Sequence, residues 1–154
     1  MKKFILGLFL ILGALSFAAA RGLDINKVNK AGYKIFKQYD WTVAITKTTD
    51  TDETSIAIFF EIVENNAAKK LLDTAKKSVP EILELVSTSE NNRAYIAKYK
   101  GKDSSYYIYV FVSKKLKFKD TFATVVYGTN KDLNGSELDK LADSFFNQVE
   151  SFLR

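Results

Sequence analysis

The stretch RAYIAKYKGKDSSYYIYVFVSKKLKFKDTFATVVY, residues 93–127, decides the fold. It holds three runs dense in Tyr, Phe, Val and Ile, residue types that suit a pleated, half-buried surface. Gly101 to Ser104 separates the first run, Arg93 to Lys100, from the second, Ser105 to Ser113; Lys114 to Leu116 separates that from the third, Lys117 to Tyr127. Short turns between alternating runs predict an antiparallel meander. In the middle run Ile108, Val110 and Val112 fall on one face, and Tyr107, Tyr109 and Phe111 on the other. A sheet wet on one side would carry polar residues in one of these sets. Both faces are therefore expected to be covered, by helices or by a partner.

Downstream, Leu138, Leu141, Ala142, Phe145, Val149 and Phe152 recur at helical spacing behind an Asn134 and Glu137 pair that resembles a capping box. Upstream, Ala68, Leu71, Leu72, Ala75, Val79, Ile82 and Val86 keep one apolar stripe. That stripe predicts a helix capped at Asn65 or Asn66 that kinks or restarts at Pro80 and continues to Val86. Before it, Trp41, Val43 and Ile45 alternate, Thr48 to Thr54 reads as a turn, and Ser55 to Val63 reads as a second strand of a hairpin. The first helix starts at an Asp24 cap and places Ile25, Val28, Ile35, Phe36 and Tyr39 at helical spacing across Gly32. The expected order is α-β-β-α-β-β-β-α. This is an α+β fold with a five-stranded, mainly antiparallel sheet and three helices.

The first twenty residues have a different character. Lys2 and Lys3 precede an uncharged apolar run from Phe4 to Phe17, and the small residues Ala18 and Ala20 suit signal-peptidase cleavage after Ala20. An uncleaved anchor would need about twenty apolar residues, more than this run supplies. Export is the expectation, to a periplasm or the cell exterior, with residues 21–154 as a single α+β domain that keeps no membrane span once cut. Loss of Lys2 and Lys3 lowers the formal charge from +5 to +3, too mild to argue for nucleic acid.

The chain has no cysteine and no histidine, which removes disulfides, thiol nucleophiles, Ser-His or Cys-His catalysis and the common zinc sites. Neither a G-x-S-x-G elbow, an S-x-x-K pair nor a phosphate loop occurs. Asp50, Asp52 and Glu61 match positions 1, 3 and 12 of a calcium-loop template, but Ser55 stands where the loop needs glycine. The carboxylate pairs Glu61 with Glu64 and Glu81 with Glu84 have nothing to position them, and the second pair reads as the wet side of a helix. No catalytic residue, metal site or cofactor is expected.

The densest candidate surface is basic and aromatic: Lys98, Lys100, Lys114, Lys115 and Lys117 among Tyr95, Tyr99, Tyr107 and Tyr109. Lysines would hold an anionic polymer while tyrosine rings stack on it. The competing reading buries the tyrosines under a helix and leaves the lysines to guard strand edges. Lysines near Lys100 and those near Lys117 belong to opposite strand ends.

Three further segments bear on kinship: YYIYVFV at Tyr106 to Val112, Phe122 to Tyr127, and ADSF at Ala142 to Phe145, with Trp41 opening the strand region. In this layout of hairpin, long helix, meander and closing helix, the last two-thirds of the chain resembles the PsbP-like domains. The resemblance implies an α/β/α sandwich and a non-enzymatic, often extracytoplasmic, binding or assembly subunit. An exported binding or assembly protein is thus the leading expectation, with a protein or an anionic envelope polymer as partner and its oligomeric state open. The alternatives are a carrier of apolar ligands or lipids, its cavity lined by Phe59, Phe111 and Tyr127, and a hydrolase without a recognisable motif.

Overall fold

In the computed structural model, which describes residues 22–62 and 64–154, the Asp24 carboxylate accepts the Lys27 N–H at 3.2 Å and starts helix α1 (Ile25–Lys30). The expected leader, residues 1–20, lies outside the described residues. Helix α1 does not continue to Tyr39. Gly32 takes a φ of +84°, a conformation that L side chains rarely adopt, and the chain leaves it as strand β1 (Lys34–Gln38). Ile35, Phe36 and their neighbours therefore pair with a strand instead of lining a helix.

Strands β2 (Thr42–Thr48) and β3 (Glu53–Phe59) form the expected hairpin, with Val43 opposite Ile58 and Ile45 opposite Ile56. Helix α2 (Ala67–Lys77) follows and again ends early. Pro80 has no N–H to donate, and its ring collides with the preceding turn of a helix. Its carbonyl instead accepts the Leu83 N–H at 3.0 Å, and the chain enters β4 (Leu83–Glu90). The stripe that predicted a helix to Val86 thus spans a helix, a turn and half a strand. Glu81 and Glu84 accordingly lie before and on an edge strand, not on a helix.

The meander is as expected: β5 (Ala94–Gly101), β6 (Tyr107–Ser113) and β7 (Phe122–Thr129), closed by helix α3 (Ser136–Phe152). The sheet has seven strands in the order β1-β2-β3-β7-β6-β5-β4, every neighbouring pair antiparallel. The expected count of five is corrected by the two edge strands, β1 and β4. Each carries a register shift, between Ile35 and Lys37 and between Leu85 and Ser87. Such a bulge inserts a residue and breaks strict alternation.

Helices cover both faces. Under α1 and α3 lie Val43, Ile45, Ile56, Ile58, Tyr109, Phe111, Val125 and Tyr127, packed against Phe145, Phe146, Val149 and Phe152. Under α2 lie Ala57, Phe59, Ala97, Tyr99, Ile108, Val110, Val112 and Val126, packed against Ala68 and Leu72. Full burial of a large apolar side chain contributes roughly 1.5–3 kcal/mol. The larger core is therefore the stronger cement of the fold.

Candidate functional site

The nine residues of the basic and aromatic constellation do not share one surface. Tyr109 is fully buried; its hydroxyl donates to the Lys131 carbonyl at 2.9 Å and accepts the Leu133 N–H at 2.7 Å. Tyr99 is buried on the opposite face, in the core under α2. Burial pushes both phenols up. Lys98 is only 4% exposed: its stem lies in the fold, and its ammonium donates to the Asp132 carboxylate and to Asn134 Oδ1 at 2.7 Å. The Lys98 hydrogen bond holds the Asp132 carboxyl below the usual range, with help from the Tyr107 hydroxyl at 3.2 Å. These four groups tie the segment that leads into α3 down onto β5 and β6.

The remaining tyrosines meet lysines of the same chain. The ammonium groups of Lys98 and Lys100 lie 5.2 and 5.7 Å from the Tyr107 ring centre, and that of Lys114 lies 4.6 Å from the Tyr95 ring while it pairs with Glu90. Lys115 and Lys117 are exposed at the end of β6 opposite to Lys100. The rings are thus engaged by internal cations, each contact worth about 0.5–1 kcal/mol where exposed. Phe59 lies on the α2 side of the sheet, Phe111 and Tyr127 on the α3 side, so the three do not line one cavity. Asp50 and Asp52 precede β3 and Glu61 follows it, a strand's length away, too far to share an ion.

What stands open lies at the sheet's edges. Along β1 and its turn into β2, Ile35, Phe36 and Trp41 are 39%, 38% and 41% exposed. Trp41 is held by stacking on Phe59, ring centres 6.0 Å apart. Lysines share this segment: Lys27, paired with Asp24 at 3.9 Å, and Lys30 are exposed on α1, Lys34 is exposed on β1, and Lys37 sits 5.4 Å from the Tyr39 ring. Ile35, opposite Ile45, lies on the α3 side. From Ile25 to Trp41 the chain carries four lysines against the single acid Asp40. Strand pairing puts Lys34 and Lys37 opposite Thr46 and Ala44, on the α2 side of the sheet, where Trp41 meets Phe59.

The β4 edge has no lysine of its own, and its glutamates meet lysines of the neighbouring strands, Glu84 opposite Lys100 and Glu90 paired with Lys114. Ile82, Leu85 and Val86 are 46%, 47% and 49% exposed, and from Glu81 to Glu90 there are three glutamates and no base. Beside it Ile82, Leu83, Gly101, Tyr106 and Ile108 line a hollow of about 280 Å³. Burial, with Glu53 and Asp52 nearby, pushes the Tyr106 phenol up to about 12. Its hydroxyl occupies room that only a glycine leaves, since a Cβ on Gly128 would fall 2.1 Å from it. At the far end of the sheet another hollow, about 250 Å³, brings Asp40, Glu61 and Asp120 together with Arg154.

Sequence reasoning did not single out the β1 edge because residues 25–39 read as a helix, which would have turned Ile35 and Phe36 inward. The signal present was Gly32 followed at once by Tyr33, Ile35 and Phe36, a breaker before strand formers. No family model, no curated protein and no solved structure matches this chain.

Proposed function

We propose that this protein is an exported, non-catalytic binding or assembly domain whose working surface is the β1 edge, and that the edge meets an acidic partner of the cell envelope. One observation carries the reading: three large apolar side chains stand exposed among four lysines with one acid in the same segment. An apolar group rimmed by like charges marks an interaction surface more often than an isolated exposed residue does. The PsbP-like resemblance supports a binding role, and the leader supports a place outside the cytoplasm.

Two measurements test it. Mass spectrometry of the protein recovered from cells that express the full chain should give an N-terminus at Arg21. Retention on immobilised anionic matrices (polyphosphate, polyglutamate and acidic vesicles) should be lost in K34E/K37E while thermal unfolding stays unchanged. Failure of the wild-type protein to bind any of them would remove the proposal.

The hollow beside Ile82, Leu83, Tyr106 and Ile108 favours a second reading, a carrier of small apolar ligands. At about 280 Å³ it falls just under the range usual for ligand pockets and would take part of an acyl chain. Native mass spectra of the protein purified from its host should then show a bound lipid, and L83W should expel it.

A further inference from the structure

Resting on the β1-edge reading above, we infer that the acidic partner is a lipid bilayer surface with anionic headgroups, on which the protein docks edge-down with Trp41, Phe36 and Ile35 entering the interfacial layer. A hydrated polymer would use the lysines alone. A bilayer offers both chemistries at once, phosphates for Lys27, Lys30, Lys34 and Lys37 and an apolar layer beneath them for the three exposed side chains. Tryptophan and tyrosine are the residues that settle at this boundary, and lysine stems reach from it to the headgroups.

Three features of the fold favour the membrane over a protein. First, the register shift between Ile35 and Lys37, with lysines on the edge itself, opposes the addition of a partner strand. Second, Trp41 is stacked on Phe59, so its ring is already fixed and inserting it costs little conformational freedom. Third, the far edge has no lysine on its own strand, and its glutamates meet lysines of the neighbouring strands, Glu90 paired with Lys114 and Glu84 opposite Lys100, so a negatively charged surface attracts the β1 edge more strongly than the far one. The charge asymmetry selects an orientation with β1 facing the lipid.

Trp41 is the only tryptophan in the chain, which makes its fluorescence a direct reporter. The protein recovered from expression of the full chain is mixed with vesicles of phosphatidylcholine alone, or of three parts phosphatidylcholine to one part phosphatidylglycerol. The second vesicles should shift Trp41 emission to the blue and sediment the protein; the first should do neither. Each lysine near an anionic surface contributes about a fivefold gain in partitioning, so K34E/K37E should lower it by at least tenfold, and added salt should do the same. F36S should weaken binding without changing its salt dependence.

Sedimentation without a blue shift would overturn the inference, as would equal binding to both kinds of vesicle. Retention on polyphosphate or polyglutamate with no binding to vesicles would overturn it while leaving the wider proposal in place. Absence of binding to every anionic probe would remove both. Association of K34E/K37E with an E81K/E84K variant, in place of lipid binding by the native chain, would assign the edge to a second copy and likewise overturn it.

Discussion

The two faces of the sheet are made by the same strands and are stabilised differently. On the α3 side the core is aromatic: Tyr109 packs against Tyr127 and Phe111, and both of these contact Phe145. Polar ties then hold the helix down, with Arg93 paired to Glu150 at 3.1 Å and Asn91 Nδ2 donating to Asp139 at 2.8 Å. On the α2 side the core is mostly alanine, valine and leucine. The side chains of α2 bond within the helix or to its own approach, as Ser78 does to the Thr74 carbonyl and Lys70 to Glu64. A helix held mostly by aliphatic contacts, with Phe59 and Tyr99 the buried rings beneath it, leaves more easily than one held by a cluster of packed rings and by ion pairs. The α2 side, with its exposed β4 edge, is therefore the weaker half of the molecule.

The largest test of this difference substitutes neighbours on one strand that face opposite ways. Phe111→Ala empties the aromatic core and should cost about 3–5 kcal/mol in urea unfolding, whereas Val110→Ala on the other face should cost about 2 kcal/mol. Equal losses would break the comparison.

A smaller effect appears in alkali and sharpens the comparison by treating both faces alike. Burial pushes the Tyr33 phenol on the α3 side to about 12, and the Tyr106 phenol on the α2 side lies at about 12 as well, against an ordinary 10.0. The unfolded chain releases these protons near pH 10 and the folded chain holds them until about 12. Unfolding then releases protons throughout that window, so stability falls as pH rises across it. Tyr33→Phe and Tyr106→Phe should each flatten the fall, which pH-dependent thermal melts would show. A slope unchanged by either variant would place the phenols in water.

The smallest effect concerns Lys98. The depressed Asp132 carboxyl contributes stability above its unfolded pKa, and that contribution is lost as pH falls through the lowered folded value. Lys98→Met keeps the buried stem and removes the ammonium that depresses Asp132. Its acid unfolding curve should lose that slope, while neutral stability drops less than for Phe111→Ala. An unchanged acid profile would show that the tie before α3 carries no weight.

Legibility in the sequence followed the same division. The meander and α3 could be read because their apolar positions keep one period over long runs, two in β6 and near 3.6 from Leu138 to Phe152. Strands β1 and β4 could not, and the reason is the bulge. One inserted residue between Ile35 and Lys37, or between Leu85 and Ser87, shifts the apolar phase away from two, and Ile82 with Val86 then mimics the four-residue spacing of a helix. Pro80 was the better guide. The arrangement of the candidate surface was hidden for another reason: lysine and tyrosine alternating on β5 and β6 meet one another within the fold, and a pattern in one dimension does not reveal which rings already have a cation above them. The β1 edge was hidden by the same bulge that hid its strand.

The central seam of the sheet, where Phe59 of β3 lies opposite Phe122 of β7, joins segments made at very different moments of synthesis. Ribosomes deliver β1, β2 and β3 first, and β3 then waits, one side of its backbone unpaired and Ile56 and Ile58 uncovered, while α2 and three more strands emerge. Closure of that long loop is slow because its entropy is lost before any contact across the seam forms. A chain that stops just short of Phe122 thus holds two three-stranded pieces, β1-β2-β3 and β6-β5-β4, each with a sticky inner border, and a cell that makes this protein must keep such nascent chains apart until the last strand arrives.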